Sequence, residues 1–115
     1  RGDLTDFVNS VAGSLRVKPV RELARSLVGL NDEDAVKARG VYRDKRVEIV
    51  EKIIQQAVER GELENPPSAI ELIEVATSAI WMRALVTDLR FEQDFVDRQI
   101  NAATDFALNG PRGEG

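Results

Sequence analysis

Arg39, Arg43 and Arg46 recur at steps of four and three residues, in the same helical sector as Val36, Val47 and Val50. Guanidinium groups on an apolar stripe need an anion, because an unpaired buried charge is costly and the forked donor geometry suits carboxylates and phosphates. Three readings fit: the anionic group of a bound ligand, Asp and Glu side chains on neighbouring helices, or a surface packed towards another domain. Tyr42 and Trp81, the single tyrosine and the single tryptophan, are large enough to wall a ligand cavity, although aromatics at helical spacing also make ordinary core. Catalytic chemistry has little to work with. The chain has no Cys and no His, which removes thiol nucleophiles, imidazole bases, disulfides and the usual zinc ligands. The carboxylates Glu71 and Glu74 are accounted for by a capped, solvated helix start, and no Ser or Lys stands in a nucleophile setting. The residues point to a binding protein with no metal and no cofactor rather than an enzyme.

Composition bounds what can position these groups. A chain of 115 residues makes one domain with a limited interior, and 43% hydrophobic with 31% charged residues is the balance of a soluble globule. No apolar run reaches the roughly 18 residues that a membrane span requires. The net charge of −4 supplies no global field to draw the chain onto nucleic acid. Absence of cysteine points to the cytoplasm. The chain opens RGDLTDF, with neither an initiator Met nor a signal-peptide pattern, and reads as a piece of something longer.

The expected fold is all-α, with about five helices. From Asp3 to about Arg16, Leu4, Phe7, Val8, Val11, Ala12 and Leu15 fall within an arc of roughly 140°. Pro19 opens a short second helix in which Val20, Leu23, Ala24, Leu27 and Leu30 share a face. Asn31 offers a cap and Asp32 to Asp34 suit a helix N-terminus, starting a long third helix that runs to Gly61. At about 1.5 Å per residue it spans roughly 42 Å, longer than a globule of this size is wide, so it must be the spine. Asn65, Pro66 and Pro67 break the chain, and Ser68 to Glu71 forms a capping box for a fourth helix ending near Thr87. Phe91 is a candidate staple against Phe95, and a fifth helix continues to about Leu108, where Asn109, Gly110 and Pro111 stop it. The domain is placed at residues 1–108, with a disordered tail over 109–115.

The fourth helix contains SAIWMRALVTD, residues 78 to 88, whose apolar residues point in nearly every direction. Its apolar arc covers roughly 260°, against the ~100° that one buried face requires. The fifth helix carries two adjacent rows, Phe95, Ala102 and Phe106 beside Val96, Ile100, Ala103 and Ala107. A second copy of the same surface would cover what one layer cannot, forming a dimeric four-helix bundle from the last two helices of each protomer. Leu72, Ala76, Ile80, Arg83, Val96, Ile100, Ala103 and Ala107 are the expected seam. The alternative is that the fourth helix is simply the centre of a monomer.

Residues 42 to 63 (YRDKRVEIVEKIIQQAVERGEL), the proline-containing loop, residues 69 to 88 (AIELIEVATSAIWMRALVTD) and residues 91 to 103 (FEQDFVDRQINAA) together resemble the C-terminal domain of tetracycline-repressor-type transcriptional regulators. Order and spacing carry the resemblance, over about residues 33 to 108. It implies an effector-binding and dimerisation domain that dimerises through its last two helices. DNA would then be reached only through an N-terminal helix-turn-helix domain absent from this chain. The segment RELARSLVGLNDEDAVKARGVYRDKR superficially reads as a helix-turn-helix itself, but Asp32, Glu33 and Asp34 would face the phosphates where a recognition helix begins.

The functional expectation is a mainly apolar cavity between the first four helices, walled by Phe7, Val11, Leu27, Tyr42, Val47, Val50 and Trp81, with Arg43 at a basic end. Such a cavity favours a small apolar or amphiphilic effector, one bearing a carboxylate for example. The alternative is a helical homodimerisation or protein-interaction module that takes no small ligand.

Overall fold

A computed structural model describes residues 2–30 and 32–109. Five α-helices follow one another: α1 (Gly2–Arg16), α2 (Lys18–Gly29), α3 (Glu33–Glu59), α4 (Ala69–Met82) and α5 (Gln93–Asn109), with a π-helical segment, Arg83–Thr87, continuing α4. No strand occurs among the described residues, and no helix is long and apolar enough to cross a membrane. α3 is the longest element. Its 27 residues at about 1.5 Å each match the longest dimension of the molecule, 41 Å.

Local chemistry explains most boundaries. α2 begins at Lys18 with Pro19 in its first turn, where the missing N–H costs nothing. α3 is capped by Asp32, whose carboxylate accepts from the Ala35 amide at 2.8 Å; Asn31, the expected cap, lies outside the described residues. α3 closes in a Schellman arrangement: the Glu62 amide donates to Ala57 O at 2.8 Å and the Gly61 amide to Val58 O at 3.0 Å. Gly61 takes φ +77°, which L side chains resist. The two prolines then separate α3 from α4, as expected. Ser68 caps α4, its Oγ accepting from the Glu71 amide at 3.1 Å and donating to the Glu71 carboxylate at 3.2 Å.

The core lies between α1, α4 and α5, with α3 laid across it. All six apolar residues of the expected α1 stripe are buried, Leu4, Phe7, Val8, Val11, Ala12 and Leu15. α4 packs most extensively on α5 and also touches α1 and α3, so its wide apolar arc is largely satisfied within one chain. Thr77, the one buried polar residue among the described residues, donates to Ile73 O at 2.8 Å and so is satisfied by its own helix. α5 starts at Gln93, which makes Val96, fully buried, the fourth helical residue, where a staple from Phe91 would fall; Phe95 lies under the Arg83 guanidinium instead. Where the sequence pattern continues an ordinary helix to Thr87, the backbone widens into the π-helical turn and ends at Asp88 with φ 55°. The phase of the side chains shifts there, and the Ala84 and Leu85 carbonyls accept from Arg25 of α2, at 2.9 and 3.3 Å.

Two glycines give opposite expectations. At Gly61 alanine must adopt the left-handed region, so Gly61→Ala should lower stability by about 1–2 kcal/mol. Gly13 lies inside α1 with open space around a built Cβ, so Gly13→Ala should raise stability by about 0.5–1 kcal/mol. Urea midpoints of the two variants should move in opposite directions from that of the parent.

Candidate ligand cavity

α2 has an apolar stripe and no buried residue. Its stripe instead faces a cavity of about 330 Å³, to which it contributes Val20, Leu23, Ala24, Leu27 and Val28. α3 adds Ala38, Arg39, Tyr42 and Arg46, α1 adds Ser14 and Leu15, and α4 adds Trp81. The cavity therefore lies among the first four helices, although the rich apolar stripe of α1 is taken up almost wholly by the core. Tyr42 and Trp81 meet edge to face at 5.8 Å and 87°, fixing one wall.

The arginine row divides by angle. Arg39 donates to the carbonyls of Leu27 and Leu30, so a cation of α3 closes the C-terminal end of α2. Arg46 is half-buried, with its guanidinium carbon 4.6 Å from the Tyr42 ring centre and 5.9 Å from that of Phe7. Arg43 is exposed and pairs with its neighbour Asp44 at 3.2 Å. On an ideal helix Arg43 is turned roughly 40° from Arg39 and 60° from Arg46, enough to carry it out of the cavity. Among the described residues no carboxylate lies within 4.0 Å of Arg39 or Arg46. The anionic partner that the row called for is thus absent from the neighbouring helices; carbonyls and ring faces take its place.

Of the residues expected at the site, Leu27, Tyr42 and Trp81 are brought together on the cavity wall. Phe7, Val11 and Val50 are buried in the core, and Val47 is half-buried against it. Ser14, Leu15, Val20, Leu23 and Ala24 were not anticipated as wall residues. The three- and four-residue spacing on α2 was the available signal, since a stripe on so short a helix has to face something. A second apolar cavity, about 400 Å³, lies among α1, α3, α4 and α5, with only Glu62 and Thr104 as polar groups. The first combines apolar walls with converging guanidinium, hydroxyl and phenol groups, the pattern of ligand sites in general.

The expected seam residues Leu72, Ala76, Ile80, Val96, Ile100, Ala103 and Ala107 are all buried inside the single chain. The part of α4 and α5 left for another surface is the neighbouring row. There Val75, Ala79, Phe95 and Phe106 are half-buried, Ala102 is exposed, and Arg83 stacks 3.7 Å over Phe95.

No curated protein and no solved structure matches the chain. The sequence profile of the family described as "Tetracyclin repressor-like, C-terminal domain" matches residues 1–103, which include the first four helices and most of the fifth. The chain belongs to the tetracycline-repressor-like C-terminal domain family.

Proposed function

We propose that this chain is the effector-binding and dimerisation domain of a cytoplasmic transcriptional regulator, in which a small ligand shifts DNA binding by a separate helix-turn-helix domain. Membership of the family supports the general reading, since such domains dimerise and take small effectors, and it gives no reason to assign catalysis. The observation that carries the specific reading is the 330 Å³ apolar cavity, at whose wall Arg46 lies half-buried with no carboxylate within 4.0 Å among the described residues. An amphiphilic acid fits both features. Its chain lies against Leu23, Leu27 and Trp81, and its carboxylate takes the free face of the Arg46 guanidinium. Arg46 thereby replaces Arg43 as the proposed acid-binding residue.

Ligand entry would bias the position of α2 relative to α3, and any coupling to DNA follows as a population shift between two arrangements of these helices. Dimerisation is assigned to the half-buried row of Val75, Ala79, Phe95, Ala102 and Phe106. Small and aromatic side chains alternate there, so two copies can approach closely around a twofold axis.

Trp81 is the only tryptophan and stands in the cavity wall, so its fluorescence reports occupancy. Medium-chain fatty acids should change it saturably, and at about 100 times Kd should add about 2.7 kcal/mol of stability. Arg46→Met should remove the preference for acids over the corresponding alcohols, while Arg43→Met keeps it. Failure of acids, alcohols and a wider small-molecule panel alike to change Trp81 emission or thermal stability would leave a dimerisation module without an effector.

The dimer is tested at Ala102, which is exposed in the protomer, so a charge there does not disturb the core. Sedimentation of the parent should give twice the chain mass at micromolar concentration. Ala102→Glu, facing its own copy across the seam, should give the single mass with unchanged helical circular dichroism. A dimer unaffected by Ala102→Glu would place the interface elsewhere.

A further inference from the structure

Four arginines converge outside the cavity just described. Arg16 at the end of α1, Arg21 in α2, Arg83 in the π-helical turn and Arg90 in the loop before α5 line a separate cavity of about 620 Å³, across which stand only two carboxylates, Asp88 and Glu92. The chain as a whole is net negative at −4, so this is a local concentration of positive charge and not part of a generally basic surface.

Three of the guanidinium groups are already held in place. Arg16 Nη2 donates to Phe91 O at 2.9 Å, and its guanidinium carbon lies 5.1 Å from the Phe91 ring centre. Arg83 Nη1 donates to Arg90 O at 2.8 Å while stacking 3.7 Å over Phe95. Arg21 Nη1 donates to Leu15 O at 3.3 Å. Each of these anchors uses one or two of the N–H groups that a guanidinium carries and leaves others to point elsewhere. The Arg90 side chain makes no hydrogen bond or ion pair among the described residues. Among the described residues none of the four has a carboxylate within 4.0 Å, and Asp88 is paired with Arg25 at 3.9 Å.

We propose that this cavity is a second ligand site, for a small phosphorylated metabolite bearing hydroxyl groups. A carboxylate offers two oxygens, too few to engage this many converging forks, whereas a phosphoryl group presents three strong acceptors and up to two negative charges. Because Arg16, Arg21 and Arg83 are anchored before the ligand arrives, less side-chain freedom is lost on binding than at a cluster of four free arginines. A phosphoryl group fills a small part of the volume. The rest is bounded by Leu89 and Ala84 and by the carboxylates of Asp88 and Glu92, which accept from sugar-like hydroxyls. The two cavities share chain neighbours: Leu15 lines one and Arg16 the other, and the same holds for Val20 with Arg21. The phosphoryl site is independent of the effector reading, because none of its lining residues belongs to the apolar cavity.

The test is a titration of ribose 5-phosphate with the chain, followed by ³¹P NMR at ionic strength held constant with KCl. Saturable binding at one ligand per protomer is expected, with competition by inorganic phosphate and none by ribose. Arg16→Met and Arg90→Met should each weaken it by about tenfold. Arg43→Met, the same charge change on the solvent face of α3, should leave it unchanged. Arg90→Met removes no hydrogen bond or ion pair among the described residues, and an unchanged helical circular dichroism and thermal midpoint of this variant separate loss of the site from loss of the fold. Absence of saturable binding, or equal weakening by Arg43→Met, overturns the site. Tighter binding of a short random DNA duplex, lost on the same substitutions, would assign these arginines to a nucleic-acid backbone and overturn it equally.

Discussion

α4 is the constraint on which the other helices depend. A helix with apolar side chains around most of its circumference cannot lie on the surface of a layer; it has to be wrapped. α5 covers it along its length, α1 and α3 close two more sides, and the residues that become fully buried, Ala76 and Ile80 with Val8 and Val96, mark where these helices meet. Burying an aliphatic side chain is worth about 1.5–3 kcal/mol, so this meeting line holds much of the stability of so small a domain. α2 is what the arrangement leaves over, a helix joined to the rest by Ala24 against the core and by arginine-to-carbonyl bonds from Arg21, Arg25 and Arg39.

Arginine does unusual duty in this fold. Arg16, Arg21, Arg25, Arg39 and Arg83 donate to main-chain carbonyls. The acceptors lie at the ends of helices or in the loop before α5, where no intrahelical N–H is available. A carbonyl stays in place when a side chain would rotate away, so these contacts fix the corners α1–α2, α2–α3 and α4–α5 with few ion pairs. The same habit leaves guanidinium groups unneutralised, which is why the charged cavity can exist in an acidic chain.

The helices were legible because each is written locally. Spacing alone gave the whole α1 stripe, Pro66 and Pro67 gave the break, and Ser68 with Glu71 gave the start of α4. The cap of α3 moved by one residue from the expected Asn31 to Asp32, both of which are good caps, so local chemistry does not discriminate between them. The π-helical turn was not legible. Its carbonyls are bonded by Arg25, about sixty residues away, and no local pattern encodes that partner. Site residues were legible only to the nearest helical face. A wheel places Arg39, Arg43 and Arg46 within one sector, but a turn of roughly 40–60° decides between cavity and solvent, and that angle is set by where α2 settles. The seam suffered similarly: Ala103 and Ile100 belong to the apolar side of α5, and periodicity does not say whether that side meets its own α4 or a partner's.

The lack of any buried residue in α2 bears on how a small molecule gets in and out. Opening free energies within a folded protein follow the apolar surface exposed by each opening, and they range from near zero to the full stability of the domain. For α2 that exposure is slight, and its release breaks a few arginine-to-carbonyl bonds while the α1, α4 and α5 core stays closed. α2 is thus the helix whose displacement disturbs the core least. Its amide hydrogens should exchange with solvent long before those of α4, and a ligand meets the cavity through side chains, Leu23 and Val28 among them, that already face solvent.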